Sequence, residues 1–427
     1  MITFWIGLPI AVRLVLLALL GLAGGALANY LIYSFAYFNP RAISPWGRGP
    51  EGGPSRRASD WIPVVGWLGL RRESGIHGPG FWIRPMLVEL GMPLALIWLY
   101  FFETQSGGLL PSSLRFPQFL DGYEATASHI FVAHGLLMVL MTAATFIDFD
   151  DWTIPDIITI PGTLLALLLA ALSTEVFMPT FIVSGGVMQV IPTTFDSPWF
   201  VPDKWMAETG LLTGWAIWTV WCFALADWRW SGALARRRGL PRAIRHFVNG
   251  LFRDGLWRLL AGIWIVGAIG IFWGWTINGA TWLGLFSALT GLAVGGGVTW
   301  AIRIVATWAL NMEAMGFGDV TLMAMIGAML GWQAALIAFF LSPFAAIVIV
   351  LIRFVITRDA YTPFGPYLCA GAALTVLWWD RLYNGWLSDN LLLMGPVLLW
   401  FSLVMLGLMG ALLFVWRHIK MRLFGDH

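Results

Sequence analysis

Two short acidic stretches carry the chemistry this chain could do. The first, TFIDFDDWTIPD over residues 145–156, holds Asp148, Asp150, Asp151 and Asp156 and no basic residue. The second, MGFGDV over residues 315–320, sets Asp319 behind Gly316 and Gly318 at the edge of an apolar run. A carboxyl group at membrane depth is costly, so it is usually partnered, faces protein interior or water, and is functional. Two carboxylates held close do not both ionise, and the pair shares a proton near working pH. One member then takes a proton from water while the other protonates the oxygen of a scissile carbonyl, as in peptide cleavage by an aspartyl protease. Gly316 and Gly318 would permit a non-helical entry and close approach of an extended substrate backbone. Pro155 would fix the turn into the next helix. Asp150, Asp151 and Asp156 read as a solvated turn and a helix N-cap.

The elements that must position these acids follow from composition. Of 427 residues, 59% are apolar, 15% aromatic and only 11% charged, far more apolar surface than one soluble core would bury. The reading is an all-α, polytopic membrane helix bundle. A net charge of +2 excludes a global nucleic-acid footprint. Two cysteines, Cys222 and Cys369, are too few for a disulfide framework or a four-cysteine zinc site.

About eleven apolar runs are expected to cross: 9–35, 85–102, 128–147, 157–175, 209–226, 256–276, 281–302, 320–332, 333–354, 364–379 and 391–416. The first is too long for a signal-peptide core and lacks a basic region before it, so it reads as a retained helix. With the N-terminus outside and the C-terminus inside, twenty-one Lys and Arg fall on the cytoplasmic side and four outside. This orientation places Asp148 and Asp319 at the same membrane face. The run 320–332 is short, but dropping it would invert the basic tail. The loop 36–84, rich in Gly, Pro and Arg, reads as irregular, and 177–207 as a nearly neutral external loop. The stretch 228–255 reads as a positive-inside loop, or else as a basic amphipathic helix lying on anionic lipid.

Four blocks, in order, resemble the type IV prepilin peptidases, a family of GxGD-type intramembrane aspartyl proteases. They are DWIPVVGWLGLRRESGIHGPGFWIRPMLVELG (60–91), IDFDDWTIPDIITIPG (147–162), EAMGFGDVTLMAMIGAMLGW (313–332) and TPFGPYLCAGA (362–372). The resemblance implies Asp148 and Asp319 as the catalytic pair, with Gly316, Gly318, Pro155 and Glu89 in supporting or substrate-binding positions. Glu313 also falls on a family-like position. The implied substrate is a type IV prepilin or a type II secretion pseudopilin, cut at its basic leader near the cytoplasmic face of a bacterial inner membrane. The lipid bilayer would be the other partner, and nucleic acid none.

Three departures accompany the resemblance. Many family members carry two Cys-x-x-Cys pairs in the loop equivalent to 36–84, associated with zinc and with methylation of the new N-terminus from S-adenosylmethionine. Here that loop has no cysteine, so no zinc is expected, methyl transfer is expected to be weak or absent, and peptide cleavage needs no cofactor. Thr321 stands where the family usually has Lys. A long insertion adds two crossings, an even number that preserves orientation. The chain then divides into a first membrane helix (1–35), a cytoplasmic loop (36–84), helices with the first catalytic segment (85–175), the insertion (176–280), helices with the GxGD segment (281–380), and a last helix with a basic tail (381–427). His129 and His134, five apart, have a poor metal spacing and read as packed or interfacial. Two other functions stay open: an inactive relative acting as an assembly scaffold, and a proton-coupled transporter that uses the same acids as a carboxylate relay.

Overall fold

The computed structural model describes residues 2–35, 45–46, 49, 52–184, 187–200, 203–226, 241, 245, 249, 256–312, 315–358 and 363–424. Ten of the eleven apolar runs fold as single helices, and the last, 391–416, is divided at Gly395 (φ 48°) into Ser388–Met394 and a longer helix: α1 Ile10–Phe35, α2 Ile83–Tyr100, α3 Pro117–Asp151, α4 Asp156–Leu172, α5 Glu208–Ala224, α6 Leu256–Ile277, α7 Gly279–Leu310, α8 Phe317–Leu330, α9 Trp332–Thr357, α10 Gly365–Leu377 and α11 Pro396–Phe424. Seven of them, α1, α2, α3, α6, α7, α9 and α11, are long and apolar enough to cross a membrane, and α4, α8 and α10 are shorter apolar helices. The fold is therefore all-α and polytopic. The chain forms two compact units, residues 1–162, 178–191 and 337–385 in one and 163–177, 192–336 and 386–427 in the other.

In the first unit α1 crosses α2 at two glycines. A Cβ on Gly21 would lie 2.4 Å from the Pro93 Cα, and one on Gly25 2.8 Å from the Glu89 Cα. In lipid, helix association rests on such close backbone approach, because apolar surface alone does not drive it. The outer side of α1 shows Leu19 and Leu20 exposed, as a lipid-facing surface requires. Two buried polar groups were not marked out by the sequence pattern. Glu103, in the π-helical turn Phe101–Gln105 that follows α2, meets His134 of α3 at 2.5 Å between Oε1 and Nδ1, and Arg13 donates to the Tyr100 hydroxyl at 2.7 Å and to Glu124 Oε1 at 2.5 Å.

In the second unit α7 crosses α8 even more closely. A Cβ on Gly291 would lie 1.9 Å from the Gly327 carbonyl oxygen, and one on Gly327 2.1 Å from that of Gly291. Every residue of α8 from Asp319 to Leu330 is buried. Its 14 residues rise only ~21 Å against a hydrocarbon core of ~30 Å. Enclosure by protein explains how so short an apolar helix is accommodated.

Two loops are more ordered than their composition suggests. In 177–207, Pro179–Ser184 and Val187–Pro192 pair as a two-stranded hairpin, because both runs are rich in β-branched residues. In 36–84 the expected irregular backbone is replaced, among the described residues, by helical turns at Ala58–Trp61, Val65–Leu70, Arg71–Glu73 and Ser74–His77. Their cause is a set of buried ion pairs, which leaves no hydrophobic period to read. Arg72 pairs with Asp60, and Arg56 approaches Glu73 at 3.2 Å. The Arg72 guanidinium and the Arg57 backbone N–H hold the Asp60 carboxyl below the usual carboxylate range, against the opposing effect of burial. The basic stretch 228–255 lies outside the described residues apart from isolated positions.

Candidate active site

The first acidic segment is built by the end of α3. The helix stops at Asp151 because Trp152 turns left-handed (φ 57°), its N–H returning to the Asp148 carbonyl at 3.0 Å. That stop places Asp148 in the last turn, 3% exposed. Its Oδ2 accepts the backbone N–H of Gly365 at 2.9 Å. Gly365 opens α10, so the carboxylate sits on an N–H that the helix leaves without an internal partner, at the positive end of the helix dipole. The second and fourth sequence blocks thus meet at one hydrogen bond. The approach requires glycine: a Cβ on Gly365 would fall 2.5 Å from Asp148 Oδ2 and 2.8 Å from Ile154 Cδ1.

The neighbouring acids take different roles. Asp150, read as solvated, is gripped by Arg84 through two hydrogen bonds of 2.7 Å, with the Tyr33 hydroxyl accepting from the same guanidinium. Asp151 is buried, and Asp156 lies in the first turn of α4. Pro155 precedes that helix, and its carbonyl accepts the Ile158 N–H at 3.0 Å, consistent with a fixed entry turn.

The GxGD segment lies in the second unit. Gly316 is the N-cap of α8, at φ −65° and ψ 152°. That extended conformation is open to any residue, and an added Cβ would stand 3.8 Å from Asp319 Oδ2. Gly316 therefore contributes open space beside the carboxylate, with no unusual backbone conformation. Gly318 and Asp319 follow in the first helical turn, where a carboxylate is favoured by the dipole, and Asp319 is 7% exposed. Thr321, two residues further in, is buried, and its hydroxyl donates to the Gly318 carbonyl at 3.0 Å. A lysine at this position would have to carry its ammonium into an apolar wall.

Glu89 belongs to neither acidic segment. It is fully buried and accepts three hydrogen bonds: from Asn29 Nδ2 at 3.0 Å, from Trp67 Nε1 at 2.8 Å and from the Val64 N–H at 2.5 Å. Val64 is left-handed at φ 66°, a strained conformation for a β-branched residue. The geometry makes Glu89 the anchor that ties the 60–70 loop to α1 and α2. Glu313 lies outside the described residues. Among the described residues, no cluster of three or more His, Cys, Asp or Glu side chains suits a metal ion. His134 packs against Glu103, and His129 contacts the Ala125 carbonyl at 3.0 Å. Gly365 is the site residue that reading by residue type missed. Its quoted Pro-Phe-Gly-Pro motif was the only signal for it.

Residues 255–351 match the type IV leader peptidase family. The match contains α8 and Asp319, and it begins inside the stretch read as an insertion. A prepilin leader peptidase/N-methyltransferase of Pseudomonas putida is 30% identical over 140 residues, 32% of this chain and 45% of the relative. Proteins of the same description from Aeromonas salmonicida and Pseudomonas aeruginosa are each 33% identical, over 111 and 108 residues, in both cases 36% of the relative. The chain thus spans less than half the length of these relatives, and no solved structure matches it. Residues 255–351, which carry the Gly-Phe-Gly-Asp segment, are thus similar to the type IV leader peptidase family.

Proposed function

We propose that the protein is a membrane aspartyl endopeptidase that removes the basic leader of type IV prepilins or of type II secretion pseudopilins. The observation that carries this reading is Asp319, buried in the opening turn of α8 inside the segment that matches the leader peptidase family. Asp148 is its proposed partner, supported by the order of the sequence blocks and by its buried, hydrogen-bonded carboxylate. One carboxylate removes a proton from the attacking water as the other donates to the peptide carbonyl oxygen. Collapse of the tetrahedral intermediate expels the amine of the mature pilin and leaves the leader with a new carboxylate.

The excess of Arg and Lys on alternate loops supports an N-out, C-in orientation in a bacterial inner membrane, with both acids at the cytoplasmic face. A leader rich in Lys or Arg would be retained at that face. Cleavage in this scheme uses no metal or organic cofactor. Transfer of a methyl group from S-adenosylmethionine to the new N-terminus is proposed to be weak or absent, because the loop that carries cysteine pairs in many relatives has none here.

The test is co-expression of the full chain with a prepilin in a host lacking its own leader peptidase, following loss of the leader by mass. Wild type is expected to process the substrate, and Asp148→Asn and Asp319→Asn to abolish processing at equal protein level. Processing by either variant would remove that residue from the dyad. A wild type inactive on every host pilin would favour the scaffold or the proton-coupled transporter.

A further inference from the structure

Arg84, the second residue of α2, stands where three helices of the first unit meet. Its guanidinium donates to both carboxylate oxygens of Asp150 on α3 at 2.7 Å, and its Nε and Nη2 donate to the Tyr33 hydroxyl of α1 at 3.2 and 3.1 Å. The rings of Tyr33 and of Phe146 on α3 each have their centroid 5.5 Å from the guanidinium carbon. The base of the side chain is held as well, because Pro85 is buried and its carbonyl accepts Asn29 Nδ2 of α1 at 2.8 Å. A planar fork bonded to two carboxylate oxygens and flanked by two rings has one orientation, unlike a pair of flexible side chains in water.

This clamp acts on one side of α3, and Asp148 lies on the other. Phe146 and Asp150, four residues apart, share a helix face, and at 3.6 residues per turn Asp148 between them points ~180° away. There its Oδ2 accepts the Gly365 N–H at 2.9 Å. A carboxylate ~6 Å from the helix axis moves ~1 Å for every 10° of roll. Roll toward α10 is limited by a backbone so close that a Cβ on Gly365 would stand 2.5 Å from Oδ2, and roll away from it breaks the hydrogen bond. The helix ends at Asp151, so no further turn fixes its angle from beyond.

We propose that Arg84 is a positioning residue: by gripping Asp150 and resting on Phe146 it sets the roll of the last turn of α3 and so aims the Asp148 carboxylate at Gly365. Reacting groups must be held to within ~0.5 Å, which is ~5° of roll here. The consequence for catalysis rests on the proteolytic reading, whereas the aim of Asp148 can be measured without a substrate. Orientation is also separable from charge, since lysine keeps the charge and one hydrogen bond but cannot hold two oxygens in one plane.

The experiment compares full-length wild type, Arg84→Lys and Asp150→Asn in phosphatidylglycerol nanodiscs. Hydrogen exchange of the Gly365 N–H, resolved by mass spectrometry with electron-transfer fragmentation, reports its bond to Asp148. The Leu368 N–H, which donates to the Phe364 carbonyl in the same stretch, reports α10 itself. Both variants are expected to speed exchange at Gly365 by about 5-fold or more and to leave Leu368 unchanged. In prepilin cleavage they should lose about tenfold in kcat with little change in KM, and the double variant should lose no more than either single one. Should Arg84→Lys fail to fold, Tyr33→Phe removes the hydroxyl that holds the guanidinium, keeps the ring, and should give the same exchange pattern. Wild-type exchange at Gly365 in Arg84→Lys would overturn the proposal, because charge would then suffice. Equal acceleration at Gly365 and Leu368 would overturn it too, since the pair would only stabilise the fold, as would a loss of cleavage carried by KM alone. Faster exchange at Gly365 alone, with a wild type that cleaves no prepilin, would uphold the clamp and refute the proteolytic reading.

Discussion

Replacing Gly365 with alanine tests the geometry around Asp148 without touching either acid. The new Cβ would stand 2.5 Å from Asp148 Oδ2, where ordinary contact begins at 3.4 Å, and Ile154 Cδ1 at 2.8 Å blocks escape to one side. The carboxylate must retreat by about 1 Å, a displacement that at the proposed reacting group costs on the order of 100-fold in rate. The same movement breaks the 2.9 Å hydrogen bond from the Gly365 N–H to a carboxylate that is only 3% exposed. Leaving those groups unpaired costs ~1–3 kcal/mol, or about 5- to 150-fold if expressed only in the transition state. We therefore expect Gly365→Ala to cleave prepilin some 10- to 100-fold more slowly, measured as the initial rate of leader loss with purified full-length protein at limiting substrate. Gly371→Ala serves as the packing control. Its Cβ would strike the Ala338 carbonyl at 2.3 Å, away from Asp148, so it should lower the melting temperature without a matching loss of rate per folded molecule. A Gly365→Ala protein that cleaves at the wild-type rate, while Asp148→Asn is inactive, would refute the argument that this hydrogen bond positions the carboxylate.

Other outcomes follow from the loop at residues 36–84. Glu89→Gln keeps the shape but turns one acceptor into a donor, so the Val64 N–H or the Asn29 and Trp67 donors lose their partner, at ~1–3 kcal/mol. Hydrogen exchange across residues 60–70 should accelerate while α1 and α2 stay protected, and unchanged exchange would show that Glu89 does not anchor the loop. Asp60 titrates below the usual range in the folded protein because Arg72 holds its charged form, so its stabilisation is complete above the unfolded value of about 3.9 and disappears as pH falls through the lower folded value. Protection of residues 57–73 from proteolysis should be flat from neutral pH to about 4 and fail only below it. Asp60→Asn should expose the loop already at neutral pH, and a loop lost near pH 6 would point to another group.

Much of this molecule is legible in its residue types because the bilayer imposes a simple rule. A segment without water must satisfy its backbone internally, so each long apolar run has to be helical, and ten of the eleven are single helices, the last being broken at Gly395. The acidic segments stood out for the same reason, since a carboxylate is conspicuous where charge is rare. Contacts made by backbone atoms and by residues far apart in sequence were not legible. Nothing in residue type alone marks Gly365 as the donor to Asp148, because the bond uses a main-chain N–H across 217 positions and glycine is needed only for lack of a Cβ. The ion pairs that shape residues 56–77 have no period to detect, and the anchoring of Val64 on Glu89 depends on a backbone angle. The Gly-Phe-Gly-Asp segment stood out through its residue types. Tertiary packing alone decided that Gly316 supplies space without any special conformation, and that Thr321 turns its hydroxyl to the backbone within an apolar wall.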